Sequence, residues 1–505
     1  MQSFQLHERA ESVPTEASYV LTDWQKGYRS LPHEYSYEID EIDGEIPVDL
    51  HGTLFRNGPG LLEVGGQRLH HPFDGDGMVC SIAFDNGRAY FRNRFVRTEA
   101  YCAEQKAGKM LYRGVFGTQK PGGWLANFLD FRLKNIANTQ VIYWGGKLLA
   151  LWEAAEPHRL DPHSLETIGK EYLDGVLHPG SAFAAHPWID PETQTLVNFA
   201  IKPGLSTTIT IYELDATGKV IREHAHAVPG FAFIHDFAIT PNYCIFFQNP
   251  VAFNPIPFAI GLRGAGECLK FQPNKPTQII LIPRDGKSPV QTLQTQSGFV
   301  FHHSNAFEKD GAVCIDSVCY EAFPAVDPNS DYREVDFDAL SPGHLYRFRL
   351  DLEGKKVDRH LIESRCCEFP YVHPSLAGRP YRYAYLGAAH RSQGNAPLQA
   401  ILKVDLETSD RQLWSAAPHG YVGEPIFVPR AAQSYQDGLP TTSAVGDEDD
   451  GWILTLVYDS QRERSDLVIL DAKDLREPIA RLHLKHHVPY GLHGSFTPEY
   501  FGCAG

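Results

Sequence analysis

The sequence predicts an all-β protein built from a long series of antiparallel hairpins, which is typical of a β-propeller with four-stranded blades. Short runs of β-forming residues are closed by tight turns from one end of the chain to the other. The 43 glycines and 35 prolines suit a protein with many turns, and apolar residues rarely recur at helical spacing. No motif repeats at a fixed period, so the residues alone do not indicate the number of blades.

Each predicted hairpin consists of two β runs around a turn that favours positive φ. The clearest surrounds Asp85, Asn86 and Gly87, because asparagine and glycine adopt that conformation at little cost. That turn joins 78–84 to 88–96, and comparable pairs are 141–144 with 147–152, 208–215 with 219–224, and 344–352 with 356–362. Further strands are predicted at 381–387, 401–406, 452–458 and 466–470. Because no Pro/Gly/Ser-rich linker divides the array, we expect one domain over residues 1–505.

Charge and cysteine content restrict the class of protein. The formal net charge of −16 argues against a nucleic-acid partner, since phosphate binding needs a basic face. Nine cysteines form no C-x-x-C pair, which indicates a reducing compartment. The first ten residues lack the apolar core of a signal peptide, and no stretch reaches the roughly 18 apolar residues of a membrane span. We therefore expect a cytoplasmic protein.

Residues 106–138 depart from the strand pattern, because bulky apolar residues alternate with bases there. The bases are Lys109, Arg113, Lys120, Arg132 and Lys134. Residues 124–136 have the periodicity of an amphipathic helix, and Trp124, Phe128 and Leu129 lie on its apolar side. Two interpretations are open: a helix that caps the sheets, which is the more common case, or an interfacial helix that enters a membrane.

Four of the 23 histidines are distinguished by their apolar or aromatic surroundings: His186, His235, His302 and His493. An imidazole without a partner is costly to bury, so four such residues indicate a shared ligand. They are scattered along the chain, as expected if four blades each direct one side chain to the axis. Isolated histidines are more often ordinary core or surface residues, so it is the set that indicates a site.

Whole segments of the chain resemble the carotenoid cleavage oxygenase family, and most of all its cyanobacterial, apocarotenoid-cleaving members. The resemblance runs nearly from end to end, including Leu-Phe-Arg-Asn-Gly-Pro-Gly at 54–60 and His-Pro-Phe-Asp-Gly-Asp-Gly-Met at 71–78. It implies a seven-bladed propeller with a loop and helix cap over an axial Fe(II). It implies His186, His235, His302 and His493 as the ligands, without a carboxylate. His302 fits the family's Phe-His-x-x-Asn spacing, and His303 is the alternative.

The resemblance also implies residues around the ligands. It places Glu153 behind His235, Glu368 behind His302 and Glu424 behind His493. Such carboxylates accept the second imidazole N–H, which fixes the tautomer and offsets the charge of the metal. In the family His186 has no glutamate partner, and Thr139 matches a residue whose methyl group keeps the open side of the iron small enough for O₂.

The implied reaction is cleavage of the 15,15′ double bond of an apocarotenal or apocarotenol by O₂, which gives retinal and a shorter aldehyde. A polyene needs an apolar tunnel with aromatic walls. The candidates are Phe73, Phe116, Trp152, Phe233, Phe301, Tyr320 and Phe369. Because carotenoids reside in membranes, residues 106–138 become a membrane-contacting segment, whose bases would ring the tunnel mouth and face an acidic lipid surface. No protein partner is predicted.

Three other functions remain open from the sequence. The first is cleavage of another conjugated olefin, either a different carotenoid bond or a stilbene-type olefin, which would call for polar groups that hold phenolic hydroxyls. The second is retinyl ester isomerisation, which would use the same metal site but is not expected of a compact, bacterial-looking chain. A propeller that serves as a binding scaffold without chemistry would hold no metal.

Overall fold

Seven antiparallel sheets stand around a central axis as the blades of a propeller, so the predicted fold class is confirmed. The structure is a computed structural model, and it describes residues 19–204, 206–323, 331–430, 435–436, 438–442 and 446–503. The first half of the described strands, in chain order, are β1 (Ser36–Glu38), β2 (Ile42–Gly44), β3 (Gly52–Arg56), β4 (Pro59–Leu61), β5 (Glu63–Val64), β6 (Gln67–Arg68), β7 (Asp76–Asp85), β8 (Arg88–Phe95), β9 (Gln140–Trp144), β10 (Lys147–Leu151), β11 (His158–Leu160), β12 (Thr167–Lys170), β13 (Trp188–Asp190), β14 (Thr195–Lys202), β15 (Ser206–Leu214), β16 (Val220–Pro229), β17 (Ala238–Ile239), β18 (Tyr243–Gln248) and β19 (Val251–Phe253). The second half are β20 (Leu269–Phe271), β21 (Thr277–Pro283), β22 (Gln291–Thr295), β23 (Phe299–Lys309), β24 (Ala312–Tyr320), β25 (His344–Asp351), β26 (Lys356–Glu363), β27 (Cys367–Tyr371), β28 (Tyr383–Ala389), β29 (Leu398–Asp405), β30 (Arg411–Ser415), β31 (Gly420–Val422), β32 (Ile426–Pro429), β33 (Tyr435–Gln436), β34 (Leu439–Pro440), β35 (Gly451–Asp459), β36 (Arg464–Asp471), β37 (Pro478–His483) and β38 (Gly494–Thr497).

The described helices are short and lie in the connections. They are α1 (Leu21–Lys26), α2 (Glu99–Ala107), α3 (Gly123–Asn127) and α4 (Pro255–Ala259), with 3₁₀ turns at Pro72–Asp74, Leu173–Gly175, Gly266–Cys268, Phe337–Ala339 and Pro374–Leu376. None of the helices in the described part of the chain is long and apolar enough to cross a membrane.

The predicted hairpins form as expected. Asp85 pairs with Arg88 across the β7–β8 turn, where Asn86 and Gly87 have φ values of 48° and 71°. The pairs β9–β10, β15–β16 and β25–β26 are antiparallel neighbours in three other blades. The β7–β8 and β9–β10 turns have two residues with positive φ, which matches the twist of the strands they join, and the longer β15–β16 and β25–β26 turns also contain a residue with positive φ, Gly218 and Lys355.

The two ends of the chain close the ring. The strand orders in the blades are β1-β8-β7-β3-β38, β12-β11-β10-β9, β13-β14-β15-β16, β17-β18-β21-β22, β23-β24-β25-β26, β27-β28-β29-β30 and β2-β37-β36-β35-β31, with β4 on β7 and β32 on β35. The early strand β2 thus joins the blade of β35–β37, and the late strand β38 joins the blade of β3, β7 and β8. Exchange between the two ends brings residues near both termini to the same axis.

The apolar core lies between neighbouring blades. One cluster, for example, packs Ile279 and Leu281 of β21 against Ile315 of β24 and Phe348 of β25. Because the blades bury their faces against each other, the innermost strands can direct polar side chains to the axis without opening the core.

The predicted helix at 124–136 is wrong: only α3 is helical, and Leu129 adopts a φ of 52°. The buried Arg113 guanidinium donates hydrogen bonds to the carbonyl oxygens of Asn127 and Asp130, at 3.3 and 2.8 Å. The Leu129 amide donates instead to Ala259, at 2.8 Å. Tertiary hydrogen bonds therefore replace those that would continue the helix.

Candidate metal centre

The structure brings the four predicted histidines together on the propeller axis. His302 lies in β23, while His186, His235 and His493 lie just before β13, β17 and β38 respectively. Each of these is the innermost strand of a different blade. Residues separated by up to 307 positions in the sequence therefore meet because four blades present the same end of their inner strands to the axis.

The geometry of this cluster is that of a metal site. One ring nitrogen of each histidine lies within 4.8 Å of the corresponding atom of the other three. The Nε2 atoms of His186 and His235 are 2.9 Å apart. Nε2 of His302 is buried and has no hydrogen-bond partner in the described protein. An orphaned imidazole nitrogen in a ring of three others is costly unless a cation accepts its lone pair, so the donor set fits a divalent metal such as Fe(II).

Three of the imidazoles are oriented by carboxylates. The Nδ1 of His302 lies 2.5 Å from Glu368, and the Nδ1 of His493 lies 2.8 Å from Glu424. Nδ1 of His235 contacts Glu153. His186 has no carboxylate partner among the described residues. A carboxylate that accepts Nδ1–H leaves the Nε2 lone pair for the metal.

Electrostatics differ among the imidazoles: burial favours the neutral form of His186 and His493, whereas at His302 burial acts to lower the pKa but Glu368 outweighs it and raises the pKa. Burial lowers the pKa of His186 well below its ordinary value and that of His493 to about 4, although Glu424 opposes the shift in His493. Burial also acts to raise the pKa of Glu368 and Glu424, but their imidazole partners and other donors outweigh it and lower both. The two carboxylates are therefore ionised at neutral pH and can hold the Nδ1 protons.

Two partners of these carboxylates do not follow from the sequence reasoning. The Tyr320 hydroxyl donates to Oε1 of Glu368 at 2.7 Å, so this residue does more than line a wall. The buried Arg56 guanidinium contacts Oε2 of Glu424. Arg56 belongs to the segment 54–60, and an arginine within an apolar strand is the signal that could have drawn attention to it.

Thr139 and His303 lie close to the cluster in different ways. Thr139 lines the cavity described below, and its carbonyl oxygen accepts the His493 amide at 3.1 Å. The His303 ring points away from the cluster, and its Nδ1 lies 2.7 Å from the Ser317 hydroxyl. His302 and not His303 is thus the neighbour that faces the axis.

A large apolar cavity of about 580 Å³ leads to the histidines. All seven predicted aromatic residues line it: Phe73, Phe116, Trp152, Phe233, Phe301, Tyr320 and Phe369. The sequence reasoning missed further aromatic lining residues, which are Trp24, Tyr28, Phe199, Phe231, Phe337, Tyr421 and Tyr490. These come from α1, β14, β31, a 3₁₀ turn and loops, so no single local pattern relates them to the site. We call the whole cavity the tunnel.

Comparison with known proteins identifies the family. The family model described as Retinal pigment epithelial membrane protein (RPE65) matches residues 28–498. The apocarotenoid-15,15′-oxygenase of Synechocystis sp. is 55% identical over 494 residues, which cover 96% of this chain and 98% of that protein. Isoeugenol monooxygenase of Pseudomonas nitroreducens is 33% identical over 473 residues, which cover 91% and 94% of the two chains.

Solved structures agree with these relatives. The crystal structure of cobalt-substituted Synechocystis ACO has a TM-score of 0.91 at 55% identity and covers 95% of this chain and 99% of its own. An ACO/RPE65 chimera gives the same TM-score at 54% identity, again with 95% and 99% coverage. With a family model that spans the propeller and a four-histidine centre on its axis, the chain belongs to the RPE65 and carotenoid cleavage oxygenase family.

Proposed function

We propose that this protein cleaves the 15,15′ double bond of apocarotenals and apocarotenols and releases retinal and a shorter aldehyde. It is an oxygenase of the carotenoid cleavage family, with Fe(II) as its cofactor. One O₂ is consumed for each double bond, and each carbonyl product receives one oxygen atom. The observation that carries the proposal is a large apolar tunnel whose wall includes His235, His302 and His493.

His186, His235, His302 and His493 would hold the iron, and Glu153, Glu368 and Glu424 would orient three of them. When bound, the iron supplies the site at which O₂ is bound and reduced. Thr139 lies beside His493 in the tunnel wall, where its methyl group would restrict the open side of the metal. Four neutral imidazoles would leave the full positive charge of the cation uncompensated. The three carboxylates, which contact the imidazoles, would offset that charge from behind them.

The aromatic walls nearest the cluster would hold the scissile bond. The Phe301 ring centroid lies 5.7 Å from that of His235. Phe369 lies 5.7 Å from His302 and 5.4 Å from His493. A polyene between these rings is excluded from water, and their π faces would stabilise positive charge that develops on it. The residues of the chain thus position the olefin and shield it.

A phenolic olefin is the second candidate, since a relative at 33% identity is named as an isoeugenol monooxygenase. Recognition of a phenol needs a free polar group in the tunnel. Of the four tyrosines in the described lining, Tyr320, Tyr421 and Tyr490 already donate their hydroxyls to Glu368, Val20 and Trp24, which leaves Tyr28, packed on Trp24 and Tyr490, as the one with a free hydroxyl. No lysine occurs among the described tunnel residues. The lining therefore favours the apolar polyene.

Product analysis tests the reaction. The iron-loaded protein would be incubated with apocarotenals and apocarotenols of several lengths, isoeugenol and a hydroxystilbene, under ¹⁸O₂. We expect retinal from the apocarotenoids, with label in both aldehyde products before exchange with water. Vanillin or another phenolic aldehyde as the faster product, or no retinal at all, would contradict the proposal.

We also propose that the protein docks peripherally on a membrane through an apolar rim, defined by exposed residues on two adjoining segments. They are Trp124, Leu125, Phe128, Leu129, Phe131, Ile256, Ile260 and Leu262. Phe131 packs against Phe258 at 5.9 Å, so the segments form one surface. The first segment continues into Leu133, which lines the tunnel. A membrane-dissolved substrate would then enter without crossing water. The nine free cysteines suit a cytoplasmic location for this contact.

The bases of this segment do not form the free ring that the sequence suggested. Arg113 is buried among carbonyl groups, and Lys134 is buried between Asp76 and Glu104, at 2.8 and 2.6 Å. Lys120 and Arg132 both contact the Asp130 carboxylate. Four of the five bases are therefore buried or paired, and Lys109 alone is exposed without a carboxylate partner among the described residues. We expect the rim to bind mainly by burial of apolar surface, without a requirement for acidic lipid.

A further inference from the structure

Arg56 is a buried cation that is connected to the imidazole of His493 through a single side chain, that of Glu424. It ends strand β3 and is 5% exposed. Its Nη1 contacts Oε2 of Glu424, while Oε1 of the same carboxylate lies 2.8 Å from Nδ1 of His493. Its Nη2 donates to the Leu492 carbonyl at 3.2 Å. The guanidinium is therefore fixed to both the carboxylate and the backbone next to His493.

The three carboxylates behind the imidazoles differ in what lies behind them. Glu153 has a side chain that is 30% exposed, so water can solvate its charge. Glu368 has a side chain that is 14% exposed, and it accepts the Tyr320 hydroxyl and the Phe369 amide, both neutral donors. Glu424 accepts the Gly494 amide and the charged Arg56. Among the described residues, Arg56 is the single Lys or Arg side chain that pairs with any of the three.

This arrangement would offset negative charge around a bound ferrous ion, because the three glutamates together with the buried Asp236 carry more negative charge than Fe(II) carries positive charge. Two carboxylates match the two charges of Fe(II), and the third would leave the buried centre with excess negative charge. Arg56 supplies the opposite charge at that third carboxylate. Nearby Asp236 is held differently, by the backbone amides of His303 and Phe237, at 2.8 and 2.7 Å. Unbalanced charge in a buried site is costly, and negative charge near iron favours its ferric form.

We propose that Arg56 is a positioning residue that, through Glu424, holds the iron in the ferrous state. The inference rests on the proposed iron site but not on the identity of the substrate. Loss of the guanidinium would leave Glu424 uncompensated, so Fe(III) would be favoured and the centre would oxidise more readily in air. Loss of the Glu424 charge alone would have the opposite effect.

The test measures the midpoint potential of the bound iron in the full-length holoprotein, from the ferric EPR signal at poised potentials. For Arg56→Met we expect the Fe(III)/Fe(II) ratio at a fixed potential to rise about tenfold, which corresponds to a fall of about 59 mV for one electron. Arg56→Lys should stay near the wild type because the charge remains. Glu424→Gln should move the ratio the other way, and the double variant should return towards the wild type.

Matched measurements separate charge from damage to the fold. Lys403→Met removes another buried, paired cation, 2.7 Å from Asp449, and should leave the potential unchanged. The absorption spectrum of Co(II)-loaded Arg56→Met should show that the coordination geometry is kept. A change in the ratio below threefold in Arg56→Met, a change of the opposite sign, or no return in the double variant would overturn the proposal. If Arg56→Met does not fold, an unchanged potential in Glu424→Gln overturns it. Absence of iron or of retinal formation in the wild type would instead contradict the proposed function.

Discussion

At the scale of the residue, the neighbours His302 and His303 show how one position in a strand decides a function. Successive side chains in a strand point to opposite faces, so only one of the two can reach the axis. His302 faces the other three histidines, whereas His303 packs on Phe247 and contacts Ser317. Both imidazoles are largely buried, but the His303 ring is held through its Nδ1 by Ser317, whereas the Nε2 of His302 is buried among the other three histidines without a hydrogen-bond partner in the described protein.

Substitution of each neighbour should therefore give a different defect. We expect His302→Ala to retain less than about a tenth of the wild-type iron, because one of four ligands is lost. His303→Ala should keep its iron and lose about 1–3 kcal/mol of stability, because the Ser317 hydroxyl loses its partner. Metal analysis and denaturant unfolding distinguish the two. Iron lost from His303→Ala but kept by His302→Ala would reverse the assignment.

The carboxylate behind His302 gives a second prediction at this scale. Glu368→Gln should weaken iron affinity or activity about 10–100-fold, since the amide is a poorer acceptor for Nδ1–H. Tyr320→Phe removes one neutral hydrogen bond to Glu368 and should cost less than tenfold. Fe(II) titration and kcat/KM measure both effects. Glu448→Gln is the control, because Glu448 is a half-buried glutamate that accepts backbone amides. If Glu368→Gln and Glu448→Gln changed iron affinity and kcat/KM equally, Glu368 would not orient His302.

At the scale of the element, residues 106–138 show how tertiary contacts override a local pattern. A single buried guanidinium, that of Arg113, binds carbonyl groups of both segments of the apolar rim: Asn127 and Asp130 in one, Phe258 and Arg263 in the other. The side chains that would form one face of a helix are spread instead over an exposed surface. Hydrogen bonds from the buried Arg113 thus hold the two segments of the apolar rim in place, and the apolar side chains of the rim are exposed on the outer surface.

Polar substitutions in the apolar rim should separate membrane binding from chemistry. We expect Trp124→Ser with Phe128→Ser to reduce sedimentation with phosphatidylcholine vesicles at least tenfold, because two exposed aromatic groups no longer enter the lipid. Turnover of short, detergent-dispersed substrates should persist. Ile168→Ser removes an equally exposed apolar group elsewhere and should change neither. The apolar model would be contradicted if the wild type bound only acidic vesicles. It would also be contradicted if the rim variant lost vesicle binding and turnover of detergent-dispersed substrates to the same extent.

At the scale of the whole molecule, closure of the propeller builds the tunnel from parts that are far apart in the chain. One portion of the lining comes from residues 72–73, 115–116 and 231–235, and another from residues 24–28, 337–341 and 395–398. His235, His302 and His493 also line the tunnel. All double bonds of a polyene are alike in polarity, so depth in the tunnel must select the one that is cut.

This geometry predicts a constant ring-side product. Changing the length of the linear end of an apocarotenal should leave retinal as the product, because the ring end sets the distance to the iron. Phe301→Ala should loosen the register and give mixed aldehydes, while Phe253→Ala, outside the described tunnel lining, should not. Chromatography of the products measures both. A cut that moves with the linear end, or β-carotene as the best substrate, would disprove selection by depth.

The sequence by itself determined the strands, their hairpins and the four histidines, because turn chemistry and the apolar surroundings of a residue are local. Only the tertiary structure decided which distant groups meet. Arg56 and Glu424 are 368 residues apart and pair because strand exchange between the chain ends joins their blades. The same long-range packing ended the helix at Asn127 and buried or paired four of the five bases near the apolar rim. Charge pairs and buried hydrogen bonds depend on closure of the ring, and the order of residues along the chain does not specify them without it.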